Sequence, residues 1–206
     1  PTDKTAYYYT EPEKVYLNAD SSSMFYRGYV EQIKNILEID LSNFDTSKVT
    51  NMSEMFYFIS NLTTLNLSNF NTSQVTDMHG MFIGMHNLTT LNLSNFNTSN
   101  VTDMSEMFKY MTNLTSLNLS SFNTSKVTNM KSMFSSTINL ATLDLSSFDT
   151  SQVTDMSYMF YLSNGDIPKD KLERIYVNND FNTAKLKYSS GMFIDRKKLR
   201  GGAGPY

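Results

Sequence analysis

The chain repeats itself every 26 residues. Phe recurs at Phe44, Phe70, Phe96, Phe122 and Phe148, and a Met-Phe pair keeps the same step from Met55-Phe56 to Met159-Phe160. Asn keeps it too, at Asn35, Asn61, Asn87, Asn113 and Asn139. Five copies run over residues 35–164 without an insertion. A fixed, gapless period demands that each unit stack on the next, because a short unit cannot bury its apolar face alone. The repeat therefore predicts a solenoid. Flanking residues carry degenerate copies: Met24-Phe25 lies 31 residues before Met55-Phe56, and Met192-Phe193 lies 33 after Met159-Phe160. Residues 1–34 and 165–206 are expected to be end units that close the stack.

One repeat reads as a strand, a turn and a short helix. Leu65 and Leu67 alternate with Thr64, Asn66 and Ser68, which is the period of a strand with one buried face. Asn69 to Ser73 is turn chemistry, since short polar side chains bond their own backbone. The period then changes. Met78, Met81, Phe82 and Met85 stand at i, i+3, i+4 and i+7, as do Met52, Met55, Phe56 and Ile59. That stripe predicts about two turns of α-helix or a 3₁₀ turn. Stacked repeats would align their strands, one per coil, in a parallel sheet. The usual crossover rule makes the winding right-handed. The expected class is an α/β repeat. Asn61 and its equivalents are expected to form an amide ladder.

Composition excludes several functions. The chain has no Cys and only two His, His79 and His86. Disulfides, Cys zinc sites and thiol catalysis are absent, and histidine chemistry has little to work with. Neither His recurs in the other copies, so neither reads as a ligand. With 18% charged residues and a net charge of −3, the chain lacks the dense basic face that nucleic acid requires. No run of 18 apolar residues appears, so this segment is not expected to insert into a membrane. No paired carboxylates, calcium loop or clustered catalytic set stands out; no enzyme, metal or cofactor is expected. Opening on Pro1 with no secretory n-region, the chain reads as a mature segment or a piece of a longer protein.

Two surfaces present themselves for binding. Strand positions facing away from the core form polar columns, with Thr64 and Thr90 in one and Asn66, Asn92 and Asn118 in another. The second surface shows as drift between copies. Positions after Met-Phe vary, as Tyr57-Phe58, Ile83-Gly84, Lys109-Tyr110, Ser135-Ser136 and Tyr161-Leu162. A second variable column is Glu54, Gly80, Glu106, Ser132 and Tyr158. Tyr57, Tyr110, Tyr158 and Tyr161 are the contact candidates there, since Tyr is enriched where interfaces concentrate their energy. The bland alternatives are a solvated sheet face and neutral drift on a convex edge.

The signature L-x-x-L-x-L-S-x-F at Leu62 to Phe70, followed by T-S-x-V-T-D-M-x-x-M-F at Thr72 to Phe82, resembles the 26-residue leucine-rich repeats of BspA-like bacterial surface proteins. The resemblance covers residues 35–164 and implies a leucine-rich-repeat solenoid. It also implies an exported protein of a bacterial cell surface or wall, with an adhesin-like, non-enzymatic role. Implied partners are a host extracellular-matrix protein, a mucin, or another surface protein or glycan. A passive spacer and a glycan-binding solenoid remain as alternatives. The module is expected to act as a monomer.

Charge is uneven. Residues 1–164 hold 8 basic and 15 acidic groups, a formal −7, and residues 165–206 hold 9 and 5, a formal +4. Arg196, Lys197, Lys198 and Arg200 form a basic cluster, read as a charged, solvated cap that blocks edge-to-edge pairing, with contact to an anionic wall polymer or a neighbouring domain as the alternative.

Overall fold

Main-chain hydrogen bonds divide about evenly between turns closed within a repeat and bonds that pass to a neighbouring repeat. A computed structural model describes residues 14–26, 36–179 and 181–200. Much of the expected N-terminal end unit, together with Asn35, Gly201 and Gly202, lies outside the described residues. The strands are short: β1 (Val15–Tyr16), β2 (Phe44–Asp45), β3 (Thr90–Leu91), β4 (Ser116–Leu117), β5 (Thr142–Leu145) and β6 (Arg174–Val177). They pair in parallel as β1 with β2, β3 with β4, and β5 with β6. In β3, β4 and β5 they fall where the Leu-x-Leu alternation puts them. No strand forms over Leu65 and Leu67, and the three pairs do not join into the one sheet the repeat predicted.

The ladder that runs without a break is elsewhere. Single parallel bridges link Asp20, Asn51, Asp77, Asp103, Asn129, Asp155 and Tyr188 in succession. Each marks the start of the segment read as helical. That segment is not a helix, and among the described residues the one helical element is a 3₁₀ turn, Ile167–Lys169. An α-helix spends each N–H on the carbonyl four residues back. Here Met52, Glu54, Phe56 and Phe58 instead donate to Asp77, His79, Met81 and Ile83 of the next repeat, at 2.7–3.0 Å. The intervening amides of Met55, Tyr57 and Ile59 close three-residue turns on Met52, Glu54 and Phe56. Alternate peptide units therefore point along the stack, and the rest point back into their own repeat. This alternation needs left-handed backbone at Glu54 (φ 54°) and Phe58 (φ 56°), and it recurs at Glu106, Tyr110, Ser132, Ser136 and Tyr158.

The inward positions are nonetheless those of the stripe. Met52, Met55, Phe56 and Ile59 are buried, as are Met78, Met81, Phe82 and Met85. Tandem turns closing on the third residue bring i, i+3, i+4 and i+7 to one side, much as a helix does. The Met-Phe phenylalanines stack ring on ring from Phe25 through Phe56, Phe82, Phe108, Phe134 and Phe160 to Phe193, with centroids 5.2–6.0 Å apart. Offset stacking of this kind adds about 0.5–1.5 kcal/mol per pair beyond burial. Phe25 and Phe193 belong to the degenerate copies, which keep register despite their altered steps.

Polar repeats hold the turns. An Asn or Asp recurs three times per unit two residues before a Ser, or before His79 or Lys131, and its side-chain oxygen accepts the amide two residues on. In one unit these are Asn66 with Ser68 at 3.1 Å, Asn71 with Ser73 at 3.0 Å, and Asp77 with His79 at 2.8 Å. The Thr of each T-S phrase is buried, and its hydroxyl works in both directions. Thr98 donates to the Asn123 carbonyl at 2.9 Å and accepts the Asn123 amide at 2.8 Å. Thr46, Thr72 and Thr150 do the same with Asn71, Asn97 and Asn182, and the Thr124 hydroxyl donates to the Asp149 carbonyl. The amide ladder expected at Asn61 is seen at Asn139, whose Nδ2 donates to the Thr112 carbonyl at 2.7 Å.

Replacing Thr98 by Val keeps the shape and strands the Asn123 amide and carbonyl. Denaturant unfolding should show a loss of about 1–3 kcal/mol; an unchanged midpoint would mean that water serves those groups equally well. Acid should also weaken the fold. Ser donors hold three surface carboxyls below their ordinary value: the Ser47 hydroxyl and amide for Asp45, those of Ser146 for Asp144, and the Ser151 amide and hydroxyl for Asp149. A depressed folded pKa gives stability that is present above the unfolded value, near 3.8, and lost as pH falls through the folded one. The triple variant Asp45→Asn/Asp144→Asn/Asp149→Asn keeps the turns, since Asn fills equivalent places elsewhere. Its stability should fall less steeply than that of the parent between neutral and acid pH.

Candidate functional site

The nine residues singled out from the sequence separate into three places. Thr64, Asn66, Thr90, Asn92 and Asn118 all lie exposed on the strand side. Thr90 sits opposite Ser116 across the β3–β4 pair, so this polar column is real where strands form. The three Asn side chains are less available than the sequence suggests. Each Oδ1 accepts an amide of its own turn, from Ser68, Ser94 and Ser120 at 3.0–3.1 Å. What this face offers a partner is the Asn Nδ2 donors and the Thr hydroxyls. At its N-terminal end Glu38 and Asp40 line a shallow groove with Thr64 and Asn66 and make it acidic.

Tyr57 and Tyr110 lie in a second place, the edge formed by the tandem turns. Tyr57 stacks on Tyr26 at 4.7 Å and leans on Phe58 at 4.7 Å. Phe58 in turn approaches His86 at 5.9 Å and Tyr110 at 6.5 Å. Burial, with the neighbouring Tyr26, Glu54 and Glu106, pushes the Tyr57 phenol up and keeps it protonated. The Lys109 ammonium lies 5.3 Å from the Tyr110 ring and pairs with Glu106 at 2.8 Å. The result is a half-exposed aromatic cluster spanning three repeats. Tyr158 and Tyr161 form a separate pair, edge to face at 5.7 Å, and Tyr158 is 40% exposed. Between the two groups stand Ser135 and Ser136, which are buried.

Phe58 and His86 were not picked out from the sequence, although both lie in or beside the variable columns. His79 is equally local in its contacts: its Nδ1 lies 2.8 Å from the Ser105 hydroxyl and its Nε2 3.8 Å from Glu54. Among the described residues, no group of three or more His, Asp and Glu converges as a metal site would.

The variation at this edge is ordered. Both variable columns are the left-handed positions, and side-chain size alternates along them. One reads Glu54, Gly80, Glu106, Ser132, Tyr158, Gly191 and the other Phe58, Gly84, Tyr110, Ser136. Where the small residue is Gly, the large side chain of the preceding repeat lies over it: Glu54 over Gly80, Phe58 over Gly84 and Tyr158 over Gly191. A Cβ on Gly84 would meet the Phe58 ring at 2.6 Å, and one on Gly191 would meet the Tyr158 ring at 2.5 Å. Gly84 is thus what lets Phe58 and Tyr110 approach each other across the repeat between them. At these glycines, packing between repeats constrains which side chains can stand at the edge.

The basic cluster read at the C-terminal end also divides. Arg196 is 5% exposed and is no part of a solvated cap. Its guanidinium pairs with Asp170, itself 1% exposed, and donates to the carbonyls of Phe160 at 2.6 Å and Phe134 at 3.2 Å. Burial lowers its pKa against the opposing pull of Asp170, and a guanidinium stays charged regardless. Lys197, Lys198 and Arg200 are exposed.

Comparison with known proteins gives one family. Residues 19–117 and 85–202 match the family described as "Mycoplasma protein of unknown function, DUF285". No curated protein matches the chain. A solved structure, the functional domain of InlJ from Listeria monocytogenes, described as including a cysteine ladder, is similar over 80% of this chain at 13% identity, with a TM-score of 0.16. This chain spans 36% of that one.

The alternation at the edge makes a specific demand. Gly84→Ala places a Cβ at φ +69° against the Phe58 ring, and should cost about 1–3 kcal/mol. Gly165→Ala, with open space around it, should cost under about 1 kcal/mol. Equal midpoints for the two variants in thermal unfolding would overturn the size-matching account.

Proposed function

The chain belongs to DUF285, a Mycoplasma family of unknown function, and we propose that it is a non-enzymatic, adhesin-like recognition module of an exported cell-surface protein. On this reading the repeats wind as a right-handed leucine-rich-repeat-type solenoid of the BspA-like kind. The partner is a host extracellular-matrix protein, a mucin, or another surface protein or glycoprotein, met by a monomeric module.

The observation that carries the reading is the contrast between core and edge. Packing repeats one Met-Phe motif through five copies, while the turn edge gathers Tyr57, Phe58, His86 and Tyr110 into a half-exposed aromatic cluster. Rigid aromatic side chains held by their neighbours lose little entropy on binding and supply large contact area. A glycan partner would use the same rings as stacking platforms. A passive spacer is the second reading. It is favoured by the Asn66, Asn92 and Asn118 carbonyl oxygens, which serve the fold's own turns.

The test is binding of the purified chain to an array of matrix proteins, mucins and glycans, at low and physiological salt. The expected result is a saturable interaction that survives physiological salt. The double variant Tyr57→Ala/Tyr110→Ala should weaken it by about tenfold or more while the chain stays folded. No interaction at high protein concentration would sink the recognition reading and leave the spacer.

A further inference from the structure

The loop after the fifth repeat brings two ammonium groups to a groove that a third, from Lys198, also lines. This loop, residues 163–173, folds back along the preceding turns: the Lys171 amide donates to the Ile138 carbonyl at 2.8 Å, and the Glu173 amide to Ala141 at 2.9 Å. Lys169, Lys171 and Lys198 line this open groove opposite Thr112, Asn113 and Asn139, and its volume is about 560 Å³. One carboxylate, Asp166, shares it and accepts the Ser163 hydroxyl at 2.6 Å. Lys198 gives one hydrogen bond to the Asp170 carbonyl and has donors to spare.

The buried ion pair fixes this arrangement. Asp170 and Arg196 lock the end of the Ile167–Lys169 turn to the carbonyls of Phe134 and Phe160, deep in the stacked repeats. The backbone that carries Lys169 and Lys171 is therefore set before any ligand arrives, which lowers the ordering cost of binding. Three cations against one anion select a negatively charged group. The opposite wall of amide and hydroxyl groups, with no aromatic ring, suits sugar hydroxyls. The volume lies within the range of small-ligand sites and admits a unit of about two sugars.

We propose that this groove binds an anionic carbohydrate, its sulfate or carboxylate held by Lys169, Lys171 and Lys198 and its hydroxyls by Asn113 and Asn139. The proposal rests on the recognition reading above but uses a different surface from the aromatic edge.

The experiment titrates the full chain with a heparin-derived hexasaccharide by calorimetry, beside inorganic sulfate and a neutral hexasaccharide. One-to-one binding of the sulfated sugar, much tighter than either control, is the expected result. Lys169→Gln/Lys171→Gln/Lys198→Gln should weaken it by about tenfold or more. Lys48→Gln/Lys126→Gln/Lys131→Gln, with the same change of net charge, should leave it nearly unchanged. Lys169→Gln/Lys171→Gln spares the Lys198 bond to the loop and should show an intermediate loss in a folded chain. Equal weakening by both triple variants would overturn the proposal, since only net charge would then matter. Inorganic sulfate binding as tightly as the sugar would overturn the carbohydrate part. Tyr57→Ala/Tyr110→Ala should not affect this titration, so failure of the edge and failure of the groove are read separately.

Discussion

The fold depends on main-chain bonds that pass sideways, from each repeat to the next. Met78, Gly80, Phe82 and Gly84 donate to Asp103, Ser105, Met107 and Lys109, and their equivalents do the same along the stack. A turn-rich segment on its own would leave these amides to water or, once buried, unsatisfied, at a cost of about 1–3 kcal/mol each. The neighbouring repeat supplies the acceptors, so backbone satisfaction and apolar burial are delivered by the same contact. The buried threonines extend the logic to the next turn, where one hydroxyl satisfies both a donor and an acceptor of its neighbour. No unit is a folding entity by itself, and stability accrues through interfaces.

Period, register and the buried face were all legible in the sequence. Phe56, Met55 and Met52 are buried as their spacing implied, because burial depends on which side of the backbone a residue occupies. The conformation that puts them there was not legible. Tandem turns and a helix bring the same positions inward, and what separates them is the destination of the alternate amides, a property of the neighbouring repeat. Left-handed backbone was hidden for a related reason. Gly80 and Gly84 signal it, but Glu54, Phe58 and Tyr110 adopt it too, and such residues do so only where the surroundings impose it. The strand at Leu65 and Leu67 failed for want of pairing, since alternation specifies a face and not a partner.

Of the candidate site, the sequence located the tyrosines and not their grouping. Tyr57 and Tyr110 meet through Phe58 across a glycine, and Tyr158 and Tyr161 stand apart. Arg196 shows the opposite limit. Its charged neighbours in sequence suggested solvent, yet its partners, Asp170, Phe160 and Phe134, lie 26 to 62 residues away. Local composition carries no information about so distant an ion pair.

The alternation of large and small side chains along the left-handed columns gives this chain two units of inheritance. The core copies itself every repeat, so a recombination that removes or duplicates one repeat preserves every ring stack and buried hydroxyl. The edge copies itself every second repeat. Loss of a single repeat would set Glu54 beside Glu106, or Phe58 beside Tyr110, with no small residue between them. Loss of an adjacent pair restores the alternation. A change of length by two repeats would therefore keep the packing of this edge, whereas a change by one would call for a compensating substitution there.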